Sequence, residues 1–186
     1  RHLAERADQV ALIWEPNDSN EASRSITYGQ LHAEVCRVAN GLVSIGVKKG
    51  DRICIYMPMV LEGAIAMLAC ARIGAIHSVV FAGFSSNSII DRINDAQCSY
   101  VLTADAVYRG DKKVELKKIV DEALLQTPSV KHCVVFNHRN SAIEMKPGRD
   151  IWWHDLVSNM PAVHKAESMD AEDPLFILYT SGSTGK

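Results

Sequence analysis

Ile53-Cys54-Ile55-Tyr56-Met57, closed by Pro58, is too apolar for a strand with one face in water and reads as a buried parallel strand. A helix over 60–72 follows it, expected to bury Leu61, Ile65 and Leu68. Gly74 closes that helix before a second strand, Ile76-His77-Ser78-Val79-Val80-Phe81. This is one strand–helix–strand unit, and the alternation continues. A helix over 86–94 carries Ile89, Ile90 and Ile93, then come the strand Tyr100-Val101-Leu102-Thr103, a helix over 114–125 and the strand Cys133-Val134-Val135-Phe136. Regular alternation with buried strands predicts an α/β fold, a doubly wound and mostly parallel sheet flanked by helices. Ligands of such sheets sit at the carboxyl ends of the strands.

Upstream lie a helical patch over 2–6, the apolar strand Val10-Ala11-Leu12-Ile13-Trp14 and a polar insert over 17–23, followed by Ser25-Ile26-Thr27-Tyr28. Thr27-Tyr28-Gly29-Gln30 has the form of a capping box, the Thr hydroxyl and the Gln side chain each satisfying an orphan amide. Leu31, Val35, Val38, Leu42 and Ile45 then recur on one helical face, with Gly46 where a left-handed C-cap falls. Downstream, residues 137–174 are polar and irregular, broken at Pro147-Gly148 and Pro161, with a short helix predicted over 152–157. Leu175-Phe176-Ile177-Leu178 reads as a strand anchoring the final loop on a buried sheet edge. The divisions are therefore an extension over 1–24, a βαβ core over 25–136, a connection over 137–174, and a strand and loop over 175–186.

At 186 residues the chain has material for one domain with a real core. A net charge of −2, with both signs interspersed, gives no global field for nucleic acid or an anionic membrane, so any anion site is local. No apolar run approaches the roughly 20 residues that span a bilayer. The first residue is Arg1, so the natural start is expected to be missing and a targeting segment is not readable. The five cysteines, Cys36, Cys54, Cys70, Cys98 and Cys133, are odd in number and lack C-x-x-C spacing, which points to a reducing compartment and structural thiols. His132, His138, His154 and His164 are too spread for a metal site. His77 is expected to be buried and satisfied, Trp152 and Trp153 to anchor a loop, and Lys117-Lys118 to form one charged helix face.

The closing string Tyr179-Thr180-Ser181-Gly182-Ser183-Thr184-Gly185-Lys186 offers backbone N–H groups, hydroxyl donors and a cation within reach of the same phosphate oxygens. It is not the nucleoside-triphosphatase loop G-x-x-x-x-G-K-[ST], because Thr180 stands where that pattern needs glycine. A serine–glycine linker has a similar composition, but a linker need not follow a buried strand.

The string resembles the phosphate loop of the AMP-forming adenylate superfamily, which normally continues to a second lysine. Longer stretches narrow the resemblance to the AMP-forming acetyl-CoA synthetases. They are Arg1-His2-Leu3-Ala4-Glu5-Arg6, Val47-Lys48-Lys49-Gly50-Asp51-Arg52, Tyr56-Met57-Pro58-Met59, Gly148-Arg149-Asp150-Ile151-Trp152-Trp153-His154-Asp155 and Asp173-Pro174-Leu175-Phe176-Ile177-Leu178-Tyr179. Above all there is Met67-Leu68-Ala69-Cys70-Ala71-Arg72-Ile73-Gly74-Ala75-Ile76-His77-Ser78-Val79-Val80-Phe81-Ala82-Gly83-Phe84-Ser85. The resemblance implies part of the large N-terminal domain of an enzyme that joins acetate to ATP as acetyl-AMP and then to coenzyme A. It implies phosphate contacts from Thr180, Ser181, Gly182, Ser183, Thr184, Gly185 and Lys186, and coenzyme A contacts from Arg109, Lys112 and the turn Phe81-Ala82-Gly83. The family usually has arginine where Lys112 stands, so bidentate phosphate geometry is lost there while the charge remains.

Under this resemblance the partners are acetate, ATP and coenzyme A, with neither nucleic acid nor membrane, and Mg2+ is expected to find its ligands beyond Lys186. So are the adenine and acyl pockets and the C-terminal domain with its catalytic lysine. No catalytic residue is assigned within the 186 residues, which are expected to be inactive alone. Cytoplasm is the expected location, with the mitochondrial matrix open, and oligomeric state is not readable. Two alternatives stand: a propionyl- or other short-chain acyl-CoA synthetase, since acyl choice is set by residues absent here, and a truncated binding or regulatory module.

Overall fold

The computed structural model describes residues 3–180. In chain order these form α1 (Leu3–Arg6), β1 (Val10–Trp14), β2 (Arg24–Thr27), α2 (Tyr28–Ser44), β3 (Arg52–Tyr56), α3 (Leu61–Arg72), β4 (Ile76–Val79), α4 (Ser86–Ala96) and β5 (Tyr100–Ala104). Then come β6 (Val107–Arg109), β7 (Lys112–Val114), α5 (Leu116–Leu124), β8 (His132–Phe136), β9 (Asp150–Trp152), α6 (Trp153–Val157) and β10 (Phe176–Ile177).

A six-stranded sheet, ordered β10-β4-β3-β5-β8-β9, carries the molecule, and every neighbouring pair in it is parallel. Along β3, Ile53 and Ile55 enter one core with Val38 and Leu42 of α2, Ile65 and Ala69 of α3, and Leu156 of α6. Cys54 and Tyr56 enter the other, with Ile89 and Ile93 of α4 and Leu116 and Val120 of α5. Period-two alternation thus feeds two cores, and the expected doubly wound α/β architecture is what forms. β1 and β2 pair antiparallel beside the main sheet.

The capping box stands as read: the Thr27 hydroxyl accepts from the Gln30 N–H at 3.2 Å, and the Gln30 side chain accepts from the Thr27 N–H at 2.9 Å. Gly46, at φ +95, ends α2 with its N–H on the Val43 carbonyl and the Val47 N–H on that of Leu42, a Schellman closure. Gly41 faces the neighbouring helix, where an added Cβ would lie 2.8 Å from both Leu156 Cγ and the Leu156 carbonyl oxygen. Because one obstacle is backbone, Gly41→Ala is expected to destabilise by about 1–3 kcal/mol, read as a lower denaturation midpoint with an unchanged slope.

Several expectations change. Leu68 is exposed, and α3 instead buries Ala66, Ala69 and Cys70 alongside Leu61 and Ile65. Those small side chains let α3 and α2 approach closely, which shifts the buried stripe away from the bulkiest residue. Lys117 is not on a charged face: it is buried, while Lys118 stays exposed. Its ammonium lies 2.7 Å from Asp121 and 2.8 Å from Asp150, whose side chain is fully buried. The connection over 137–174 contains β9, a sixth sheet strand, as well as the expected short helix. β10 is an edge strand with Leu175, Phe176 and Leu178 exposed, not a buried one. His77 is buried, but its Nδ1 finds no hydrogen-bond partner among the described residues. Trp153 does anchor α6 in the core.

Candidate functional site

The chain leaves β3 toward α3 on one face of the sheet, and leaves β4 and β5 toward α4 and α5 on the other. The loops therefore part above the carboxyl end of β3, the place where open α/β sheets bind ligands. A trough of about 710 Å³ lies there, lined by Met57, Pro58, Val79, Phe81, Tyr108 and Leu178 among others.

β4 ends at Val79, and the chain turns through Phe81-Ala82-Gly83-Phe84, where the Gly83 and Phe84 N–H groups donate to the Phe81 carbonyl at 2.7 and 3.1 Å. Tyr56, at the end of β3, donates its hydroxyl to the Phe84 carbonyl at 2.9 Å. Burial pushes that phenol up to about 12, so it remains a donor across the physiological range. Ser85 then caps α4, accepting from the Ser88 N–H.

The segment after β5 forms a tight hairpin, β6–β7, turning at Gly110, whose φ is +57. Arg109 and Lys112 are the last paired residues before that turn, so their side chains leave the same face of the hairpin. The Arg109 guanidinium lies 4.6 Å over the Phe81 ring, and a Cβ built on Gly83 would fall 2.5 Å from Arg109 Nη1. Four of the residues singled out in the sequence, Phe81, Gly83, Arg109 and Lys112, are thereby brought to one place, with Ala82 buried between the first two. The space above Gly83 is filled by the arginine. A groove of about 450 Å³ opens beside it, bordered by Gly83, Arg109, Lys112, Lys113 and Lys118. A cationic groove thus adjoins a mostly apolar trough, with Arg109 lining both.

Thr180 lies at the same edge, because β10 runs parallel to β4 with Ile177 opposite Ser78. Tyr179 is held from the side by α4: its hydroxyl donates to Asp95 at 2.5 Å, and the Arg92 guanidinium lies 5.1 Å from its ring centroid. Ser181, Gly182, Ser183, Thr184, Gly185 and Lys186 lie outside the described residues.

Sequence reasoning missed the supports of this site. Asp105 is buried at the end of β5 and accepts from the N–H groups of His138, Arg139 and Ser141 at 2.8 to 3.1 Å. Burial alone would raise its carboxyl; the backbone donors outweigh that and hold it below the usual range. Asp105 thereby fixes Arg139, whose guanidinium lies 5.7 Å from the Tyr108 ring centroid and pairs with Glu21 at 2.8 Å. Trp14 Nε1 donates to the Met59 carbonyl at 2.6 Å, holding the loop after β3. An acid directly after a buried strand, Thr103-Ala104-Asp105, is the one sequence signal that could have pointed to this role.

All five cysteines are free and buried. Burial raises the Cys70 and Cys133 thiols to about 12 and Cys98 to about 11, so they stay protonated and behave as small hydrophobes. Among the described residues, no group of three or more His, Cys, Asp or Glu side chains could hold a metal ion, and no helix is long and apolar enough to cross a membrane.

Comparison with known proteins agrees with this fold. The family described as "AMP-binding enzyme" matches residues 1–186. An acetyl-coenzyme A synthetase of Bdellovibrio bacteriovorus is 58% identical over the whole chain, which covers 29% of that protein. One of Nostoc linckia is 55% identical, again over the whole chain and 55% of that protein. Among solved structures, acetoacetyl-CoA synthetase from Streptomyces lividans superposes with a TM-score of 0.89 at 26% identity, over all of this chain and 28% of that one. The chain thus spans between about a third and about half of the curated relatives it matches. With a parallel doubly wound sheet, a basic groove and apolar trough at its carboxyl edge, and a family match along its full length, the chain belongs to the AMP-binding enzyme family.

Proposed function

We propose that these residues are the N-terminal part of an acetate–CoA ligase that forms AMP. In the first step an acetate oxygen attacks the α-phosphorus of ATP, giving acetyl-AMP and releasing pyrophosphate. In the second the thiol of coenzyme A attacks the acetyl carbonyl, its proton is lost, and AMP leaves as acetyl-CoA forms. Thr180, Ser181, Gly182, Ser183, Thr184, Gly185 and Lys186 meet the departing pyrophosphate, where amides, hydroxyls and a cation stabilise charge that grows in the transition state. Arg109 and Lys112 hold the 3′-phosphate of coenzyme A, with Phe81, Ala82 and Gly83 as the floor, and the pantetheine arm follows the apolar trough. ATP enters as its magnesium complex, and the described residues offer no donor cluster for that ion. The bacterial sources of the enzyme's relatives support the cytoplasm as its location, with the mitochondrial matrix as the alternative.

The observation that carries this reading is the Arg109 guanidinium, stacked on Phe81 and pressed against Gly83 beside Lys112, where a cationic groove meets an apolar trough. That pairing suits a ligand with an anionic head and a long, weakly polar arm. The acetyl-CoA synthetase relatives support the same choice. The test is acetate-dependent exchange of labelled pyrophosphate into ATP by the full-length protein, with coenzyme A required for thioester. Acetate-independent exchange, or none, overturns the assignment. The isolated 186 residues are expected to release no pyrophosphate above background, and release that depends on acetate would refute the expectation that the acyl pocket and catalytic lysine lie beyond Lys186.

A further inference from the structure

Arg92, on α4, sits between two aromatic rings from segments far apart in the chain. Its guanidinium lies 4.8 Å from the Phe84 ring centroid and 5.1 Å from that of Tyr179. Its Nη1 also donates to the Ser88 carbonyl at 3.0 Å, which fixes the side chain along its own helix. Phe84 closes the turn against which Arg109 rests, and Tyr179 directly precedes the phosphate-loop residues. One turn further along α4, Asp95 accepts the Tyr179 hydroxyl at 2.5 Å. Neither contact was visible in the sequence pattern of α4, whose apolar face is spent on Ile89 and Ile93 in the core.

We propose that Arg92 is a positioning residue that ties Tyr179, just before the phosphate-loop residues, to Phe84, just after the coenzyme A turn, so that a displacement of one is transmitted to the other. The proposal rests on the assignment of those two subsites given above. α4 begins immediately after Phe84 with its Ser85 cap, so a shift of Tyr179 displaces Arg92 and is felt at Phe84 and hence beside Gly83. A cation over an aromatic face at a partly exposed site is worth about 0.5–1 kcal/mol, a factor of about two to five per ring. Asp95 adds a charge-assisted bond on the loop side only. Arg92 therefore contacts a residue bordering each subsite, and Asp95 a residue bordering only one.

This asymmetry sets the test. In the full-length protein, Arg92→Ala is expected to raise KM for ATP in pyrophosphate exchange and KM for coenzyme A in thioester formation, each about two- to fivefold. Tyr179→Phe keeps the ring under Arg92 and loses only the bond to Asp95, so it should raise KM for ATP more than KM for coenzyme A. Arg92→Lys should recover part of both. A fall in kcat with both KM values unchanged, or a rise in only one KM for Arg92→Ala, overturns the proposal. Hydrogen–deuterium exchange provides a readout free of turnover: Tyr179→Ala should speed exchange at the amides of Phe84 to Ser88, and do so less in an Arg92→Ala background. Equal acceleration in both backgrounds sinks the tie. If the exchange coupling is found in a protein that catalyses no acetate-dependent reaction, the functional reading fails and the tie stands.

Discussion

Arg109→Ala is expected to weaken coenzyme A binding about 10- to 100-fold while leaving 3′-dephospho-coenzyme A nearly unaffected. The range follows from charge-assisted hydrogen bonds worth about 1.5–3 kcal/mol, taken toward the low end because the site is open to water and salt. The geometry makes the arginine specific for this duty. Its guanidinium rests on Phe81 and fills the space above Gly83, so its long side chain is already ordered and little rotamer freedom remains to be lost on binding. Lys112 across the hairpin turn supplies a second charge without the planar fork, so Arg109→Lys should recover only part of the loss. Calorimetry on the full-length protein with both ligands, repeated at higher ionic strength, checks this. If the Ala variant discriminates between the two ligands as well as the unmodified protein does, the coenzyme A assignment of Arg109 is wrong.

The sheet was legible because β3, β5 and β8 are buried on both faces, so each reads as an unbroken apolar run bounded by turn residues. Helix α2 was legible from its capping box and its stripe. Leu68 misled because a hydrophobic stripe is scored by bulk, whereas α3 meets α2 through alanines and a cysteine. β9 escaped because three half-buried residues at a sheet edge carry no periodicity. The β6–β7 hairpin escaped because its strands are equally short, and because Lys112 and Lys113 read as solvated charge. Arg109, Lys112 and Phe81-Ala82-Gly83 could be named only through resemblance; that the arginine lies in the Gly83 space is a tertiary fact. The same holds for Tyr56 and Asp105, whose partners Phe84 and Ser141 lie well downstream. Ser181 to Lys186 remain an inference from sequence.

Lys117 is the sharpest failure of local reading, and it leads to the largest expected effect on stability. Lysine is almost never fully buried unless paired, and the partner that makes burial tolerable, Asp150, is far along the chain on an edge strand. Asp150 takes the Lys117 ammonium at 2.8 Å, Arg149 Nε and Nη2 at 2.6 and 2.9 Å, and the Lys146 N–H at 2.9 Å. The cluster lashes α5 to β9, the outermost strand beyond β8. Removing Asp150 leaves the buried ammonium with Asp121 and the Glu144 carbonyl, so Asp150→Ala is expected to destabilise by about 3–5 kcal/mol, toward the low end of that range because Asp121 remains. At roughly 2–4 °C per kcal/mol for a unit of this size, the melting temperature should fall by about 6–20 °C. The pH dependence carries a sign. Burial would raise the Asp150 carboxyl, but Arg149, Lys117 and the Lys146 N–H together hold it below the usual range. A depressed carboxylate contributes stability that is complete above its unfolded value of about 3.9 and is lost as pH falls through the folded one. Unmodified protein should therefore lose stability below about pH 4, and Asp150→Ala should show a shallower acid slope from a lower starting point. Asp105 contributes with the same sign, so part of the slope survives the substitution. Urea midpoints at pH 7 and at several values below 4 measure both quantities. An Asp150→Ala variant as stable as the unmodified protein at pH 7 would show that this cluster is tolerated rather than required for docking β9.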